Sequence, residues 1–355
     1  MPMIRHTIAV LGSLAAFAGG AGAQQNFTVE PLADGVYAVV RREPLGMANH
    51  ANSLLIINDS DVVVVDAQFT RAATLEVLAA LRRLTRNPVS AVINTHWHDD
   101  HVAGNQVYRD SFPGVRFVAH ANTREDLATL GAANRKGQVS GGPPALAAFD
   151  TLLHRGLALD STPASASDRR AMESTISIAR HYLAEAPGFR ETLPTLTFDD
   201  RLTLYRGERR IEVRWFGNAN TRGDAVIWLP REGVVATGDI VTAPVPFAFG
   251  SFIAEWAAVL GQVRALKATT ILPGHGPVMR GDEYLQRLER MLRAVTEQTR
   301  IAAAGGATLA QARERVTLPE FRKEFAGDDK WLNYIFTRFF LTPAVGRAYA
   351  ESTTR

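Results

Sequence analysis

The 355-residue sequence contains no cysteine. Disulfide bonds, thiolate zinc sites, a cysteine nucleophile and thiol-linked lipid are therefore all excluded. Any metal must be held by histidine and carboxylate side chains. Basic runs are missing as well. Lys+Arg 39 stand against Asp+Glu 36, a formal charge of only +3, and the basic residues come as scattered pairs such as Arg82-Arg83, Arg169-Arg170 and Arg209-Arg210. That is not the pattern of a nucleic-acid groove. Past the first two dozen residues, no charge-free apolar stretch approaches the roughly 20 residues that span a bilayer. No Gly-X-Ser-X-Gly turn suggests a serine hydrolase, and no repeat or low-complexity tract is present.

What remains is an ordinary globular composition, 46% hydrophobic and 21% charged, with enough length for two domains or one large decorated domain. Arg5 and His6, the apolar stretch from Ile8 to Phe17 and the small residues Ala21-Gly22-Ala23 have the form of a secretory leader cleaved after Ala23. This implies an exported protein, periplasmic in a bacterium, with no membrane span after cleavage.

Short Val- and Ile-rich runs predict strands over 35–40, 53–57, 62–65, 91–94 and 115–119, with helices over 70–84 and about 122–130. The stretch 131–194 differs. Gly141-Gly142-Pro143-Pro144 and the Ser/Pro-rich tract 161–167 suggest loops, and Met172, Ile176, Ala179 and Leu183 share one helical face. This reads as a helical insertion. Strands return over 202–205, 211–215, 225–229, 233–236 and 270–272, with a helix over 254–266, and from residue 282 the chain reads as helical to its end.

The chemistry concentrates in Asn94-Thr95-His96-Trp97-His98-Asp99-Asp100-His101. His96 and His98, two apart at a strand end, point the same way and can share one metal, while Asp100 and His101 follow in a turn that aims them at a second position. His50 lies in the loop 46–52 as a substrate contact or a surface histidine, and His120 follows a strand as a structural residue.

This segment resembles the His-X-His-X-Asp-His signature of the metallo-β-lactamase superfamily. Ala236-Thr237-Gly238-Asp239 fits the later Gly-Asp pair of that family, and Pro273-Gly274-His275-Gly276 fits its last Gly-His-Gly turn. The resemblance implies an α/β fold, an αββα four-layer sandwich over 24–281, with the insertion about 131–194 and a C-terminal helical extension over 282–355. It also implies metal ligands His96, His98, Asp100, His101, Asp239 and His275. One departure stands out: Asn220 occupies the place of the family's usual third histidine. As a neutral, hard donor, its amide oxygen binds zinc less tightly than imidazole does. Either Asp239 bridges two metals with Asn220 as a weak ligand or a partner of the attacking water, or one metal is held tightly.

The resemblance further implies a hydrolase dependent on Zn2+, one or two ions, with iron and manganese left open. Zinc lowers the pKa of a bound water to about 7 and so supplies hydroxide at neutral pH. Asp100 and Asn220 are the expected catalytic residues. The expected reaction cleaves an ester, thioester, lactone or amide of a small molecule. Phe247 and Phe249, in the Phe-rich loop after Asp239, read either as an apolar substrate wall or as core packing. A β-lactamase is the alternative, against which stand Asn220 and Asp239, where the resemblance gives true β-lactamases Cys or Ser. A non-catalytic or redox metal protein of the same fold is another. Nothing in the sequence fixes the oligomeric state.

Overall fold

The computed structural model describes residues 26–353, so the leader-like residues 1–23 lie outside the described residues. Two sheets face each other. The first holds β1 (Phe27–Ala33), β2 (Val36–Arg41), β3 (Ser53–Ile57), β4 (Val62–Val65), β5 (Val89–Ile93), β6 (Arg116–His120) and β7 (Leu196–Phe198) in that order. Its β1 to β4 pair antiparallel and its β4 to β7 parallel. The second holds β8 (Arg201–Arg206), β9 (Arg209–Trp215), β10 (Ala225–Leu229), β11 (Val234–Thr242), β12 (Thr270–His275) and β13 (Met279–Arg280), in the order β13-β12-β11-β10-β9-β8. Within it, β11 and β12 are the parallel pair.

Alternation along the strands explains the layering. Val63 and Val65 of β4 enter the core between the sheets with Ile93, Ile227 and Leu272, whereas Val62 and Val64 face the other way. There they meet helices α1 (Arg71–Leu84) and α3 (Asn105–Ser111), through Val77 and Leu81 of α1 and Val107 and Tyr108 of α3; the short α2 (Asp99–Val102) precedes α3 in the chain. The second sheet turns Val226 and Val235 outward into a third core with the later helices. The result is four layers, helix, sheet, sheet, helix. A strand buried on both faces loses the polar alternation of a half-exposed one, which is why β4 is four consecutive valines.

Between β6 and β7 of the first sheet, α4 (Ala121–Asp126) runs through a π-helical turn, Leu127–Gly131, into the 23-residue α5 (Ala132–His154), followed by α6 (Ala166–Glu185). The loop expected at Gly141-Gly142-Pro143-Pro144 is instead the interior of α5. The glycines supply a physical reason: a Cβ on Gly142 would lie 3.1 Å from the Leu183 methyls, so its bare backbone lets α5 pack closely on α6. The tract 161–167 does contain a loop, closed by Ser165, whose side chain and that of Asp168 form a reciprocal cap on α6.

After β11 come α7 (Ile253–Ala265), α8 (Glu283–Ala304), α9 (Leu309–Arg315), α10 (Pro319–Ala326) and α11 (Lys330–Ile335); a second π-helical turn, Phe336–Leu341, then leads into α12 (Thr342–Thr353). Two carboxylates fasten these additions to the sandwich. Glu185, at the end of α6, accepts the backbone N–H groups of Arg71 and Ala72 that open α1, and Glu351 of α12 accepts those of Ile253 and Ala254 that open α7. Among the described residues, no helix is long and apolar enough to cross a membrane.

Candidate metal centre

The segment Asn94–His101 leaves β5 and is held from three directions. Asn94 and Asn105 exchange side-chain amide hydrogen bonds of 3.1 and 2.8 Å, and Ala67 donates its backbone N–H to the carbonyl of His101. Asp66, just past β4, is the third hold. Its Oδ1 accepts Thr95 N–H at 2.7 Å, and its Oδ2 accepts Thr95 Oγ1–H at 2.7 Å and lies 2.8 Å from His101 Nδ1. Because the single hydroxyl proton of Thr95 goes to this carboxylate, Thr95 Oγ1 can only accept from His96 Nδ1, 3.0 Å away. One carboxylate thus engages Nδ1 of two imidazoles and leaves Nε2 of both His96 and His101 facing inward as an acceptor, His96 Nε2 towards His98 Nδ1 and His101 Nε2 without a partner.

The second sheet brings the remaining groups. Asp239 lies within β11 and His275 ends β12, where the ladder between these strands shifts register on either side of Gly238. Gly238 has φ 51°, and a Cβ there would lie 2.4 Å from Thr95 Oγ1; a Cβ on Gly274 would lie 2.1 Å from Asp239 Oδ1. Only glycine lets the two sheets meet at this edge. Asn52 of the loop before β3 ties in the last turn, donating Nδ2–H to the carbonyls of Pro273 and Gly276 while its Oδ1 accepts Arg41 N–H.

At this edge, His101 Nε2 stands 3.5 Å from Asp100 Oδ2 and 3.3 Å from Asp239 Oδ1, and His275 Nε2 stands 3.0 and 3.5 Å from the same oxygens. Four donors each about 2.1 Å from a common tetrahedral ion are about 3.4 Å apart. On the other side of Asp239, its Oδ2 is 3.8 Å from His96 Nε2, which is 2.8 Å from His98 Nδ1. Asp239 therefore presents one oxygen to each group. His101 Nε2 and Asp239 Oδ1 are buried yet have no hydrogen-bond partner. Orphaned acceptors facing each other are what a cation would satisfy.

Electrostatics points the same way. Burial works to lower the pKa of His101, but the carboxylates of Asp100, Asp239 and Asp66 outweigh it and hold it well above the ordinary histidine value. Burial raises Asp239, and the surrounding His275 and His101 still pull it well below the carboxylate range. Burial, and the neighbouring His101, keep His96 well below its ordinary value. His96 stays neutral, and without an ion the carboxylates would draw a proton to His101, the place an ion would take; the pocket has an excess of negative charge at its centre.

Asn220 reaches the same edge from the turn 217–224. It is 3% exposed, and its Nδ2 donates to the Asp239 carbonyl at 3.2 Å, leaving Oδ1 as its free end. Asp224 stabilises the turn by accepting Thr221 N–H and Oγ1–H, and burial pushes its carboxyl up to about 7 against those bonds. Arg222 anchors the turn to α4 through a forked contact with Asp126.

The other sequence candidates separate. His50 is neither a surface residue nor part of the metal-side cleft. It is 6% exposed, accepts Phe69 N–H at Nδ1, and is pushed down to about 3, first by burial and then by Arg41; its free edge lines two neighbouring cavities. His120 stacks on Trp215 at 5.1 Å and accepts Asn122 N–H at the start of α4. Phe247 and Phe249 do line the metal-side cleft, of about 480 Å³, together with Met47, Trp97, Phe339, Asn134 and Gln138.

Sequence reading overlooked two features. Asp66 is one; an aspartate directly after four valines was its only signal. The other is Asp99, which accepts from Arg135 Nη1 at 2.6 Å and from Tyr182 Oη at 3.1 Å, so that α5 and α6 both grip the segment Asn94–His101.

Comparison with known proteins adds the following. A family model described as the metallo-beta-lactamase superfamily matches residues 47–275. The linear primary-alkylsulfatase of Pseudomonas sp. (strain ATCC 19151) is 25% identical over 275 residues, covering 73% of this chain and 48% of that protein; this chain spans about half its length. The metallo-beta-lactamase type 2 of Bacillus cereus is 22% identical over 246 residues, covering 68% and 72%. Among solved structures, a metallo-beta-lactamase from Pontibacter korlensis superposes with a TM-score of 0.51 at 18% identity, over 75% of this chain and 99% of that one. DIM-1 metallo-beta-lactamase does so with 0.50 at 16%, over 76% and 97%. The structural likeness is one of fold.

Proposed function

Because the chain belongs to the metallo-β-lactamase superfamily, a family of metal-dependent hydrolases, we propose that it hydrolyses an ester, thioester, lactone or amide bond of a small molecule with zinc as its metal. The observation that carries this reading is the facing pair of orphaned atoms, His101 Nε2 and Asp239 Oδ1, set between Asp100 and His275. His101, Asp100, Asp239 and His275 would hold one ion, and His96, His98 and Asp239, with Asn220 nearby, a second. A divalent ion in such a site supplies a Lewis acid and a water acidified to a pKa of about 7.

The chain's own groups do the rest. Asp66, directly and through Thr95, engages Nδ1 of His101 and His96 and so aims Nε2 of both inward. Asp239 offers an oxygen to each group and so sets their separation. Asn220, its Nδ2 committed to the Asp239 carbonyl, has Oδ1 free to accept a hydrogen bond from an attacking water; an amide cannot take the proton itself, so its part is orientation. Asp100, whose side chain is 22% exposed, is the carboxylate of the group that is most open to the cleft and so the one that meets the leaving group.

Metal analysis of the purified protein, run beside a panel of aryl esters, lactones, thioesters, nitrocefin and an alkyl sulfate with Asp100→Ala as control, tests the proposal. Turnover of a carboxylic ester, lactone or thioester, abolished in the control, supports it. Nitrocefin as the best substrate would replace it with a β-lactamase, and bound metal without any turnover would replace it with a binding or redox protein.

A further inference from the structure

Two additions to the sandwich build the cleft over the metal-binding residues, and their chemistry is one-sided. Phe247 and Phe249, on the segment after β11, form a cluster with Phe339 of the C-terminal π-helical turn, with ring centroids 5.2 to 5.9 Å apart. Phe249 is 59% exposed although it sits in that cluster, which leaves apolar surface facing the cleft. From the insertion, α5 contributes Asn134 and Gln138, one helical turn apart and so on one face; neither side chain has a hydrogen-bond partner among the described residues. Both wall-forming helices carry a π-helical turn beside the cleft, at 127–131 and 336–341, a distortion that is frequent at functional sites.

The charge of the lining is equally distinctive. Among the described residues that line the cleft there are three carboxylates, Asp99, Asp100 and Asp239, and no lysine or arginine. The guanidinium groups of Arg41 and Arg170 belong to the neighbouring cavity beyond Asn49 and His275. Asp99 is paired with Arg135, and Asp100 and Asp239 belong to the metal group, so a substrate anion lying along the wall would meet aromatic faces and the amides of Asn134 and Gln138 with no cationic partner to offset its desolvation. An uncharged aryl or alkyl group would instead displace water from apolar surface, a gain that grows with the area buried.

We propose, on the hydrolase reading above, that this cleft selects a substrate uncharged away from its scissile bond, with an aryl or medium-length alkyl body on the Phe247–Phe249–Phe339 wall and a neutral polar group within reach of Asn134 and Gln138. Substrates that carry a carboxylate or sulfonate away from the scissile bond are thereby disfavoured.

Calorimetric titration of the metal-loaded protein with butyrophenone and with its para-sulfonate tests the selection apart from turnover, because neither has a bond to hydrolyse and a sulfonate is a poor metal ligand. The expected result is at least tenfold tighter binding of the neutral ketone. Gln138→Lys should narrow that gap several-fold by supplying the missing cation. Phe249→Ala should weaken butyrophenone and acetophenone severalfold while leaving the metal content unchanged. Equal or tighter binding of the sulfonate to the wild-type protein overturns the proposal, as does a Gln138→Lys variant with an unchanged gap. Failure of the hydrolytic panel with the ketone preference intact would count against the reaction class alone.

Discussion

Asp66 Oδ2 lies 2.8 Å from Nδ1 of His101, although the two residues are 35 positions apart and on different segments. The same carboxylate takes both the backbone and the hydroxyl hydrogen of Thr95. Replacing it with an amide keeps its shape but lets one end donate where acceptance is required. Asp66→Asn should weaken metal binding 10- to 100-fold, the usual cost of losing such a support, read by competition with a chromogenic chelator. Circular dichroism should show the fold retained; unchanged affinity would mean that the imidazoles are oriented by something else.

Asn220 is the weak point of the His96–His98 side. Asn220→His should bring a second equivalent of zinc into the purified protein, or raise affinity at that side about tenfold, because imidazole is the stronger donor. Elemental analysis and a two-site titration measure it. The same stoichiometry and affinity in both proteins would remove Asn220 from the metal's surroundings.

Arg135 and Asp99 are both buried, with side chains 9% and 2% exposed. Truncating one partner strands the other, so Arg135→Ala should cost about 3–5 kcal/mol in urea unfolding. The double variant with Asp99→Asn should lose less than the sum of the singles, since it strands no charge at Asp99, and Glu191, the other partner of Arg135, is a third exposed. Additive losses would show that the pair is not coupled.

His50 gives a pH signature. Its folded value, about 3, lies below the ordinary 6.5, so between those limits the unfolded chain binds a proton that the folded one does not. Stability therefore rises with pH across this window and falls on acidification, by up to about 1.4 kcal/mol per pH unit from this group. Relative to wild type, His50→Gln should lose that slope between pH 6.5 and 4 and keep it unchanged above pH 7. A parallel pair of pH profiles would refute the assignment.

The strands Ser53–Ile57, Val62–Val65 and Ala225–Leu229 match their sequence reading to the residue, because burial on both faces leaves an unbroken apolar run. The cluster of His96, His98, Asp100 and His101 was equally legible as a candidate, since four ligand-type side chains within six residues are a local signal. The rest was non-local. Asp66 acts 29 and 35 residues along the chain, and Tyr182 acts 83 residues from its partner Asp99. A lone polar residue at a strand end, or within a helix, carries no mark of the group it will meet. His50 was misleading for a related reason: a polar side chain in a Gly- and Asn-containing loop suggests exposure, and only packing under Phe69 buries it. At Gly141-Gly142-Pro143-Pro144, helix-breaking residues yielded to the contact between α5 and α6.

The nine residues of β11 are all buried, and β12, alongside in parallel, is buried throughout. Amide hydrogens in such a pair exchange only when the molecule opens as a whole. Asp239 and His275 are thus set on the slowest-opening part of the chain, whereas His96 and His98 sit on a segment held by side-chain clasps. Ion release should begin from the loop side, with the half on β11 and β12 retained until global unfolding.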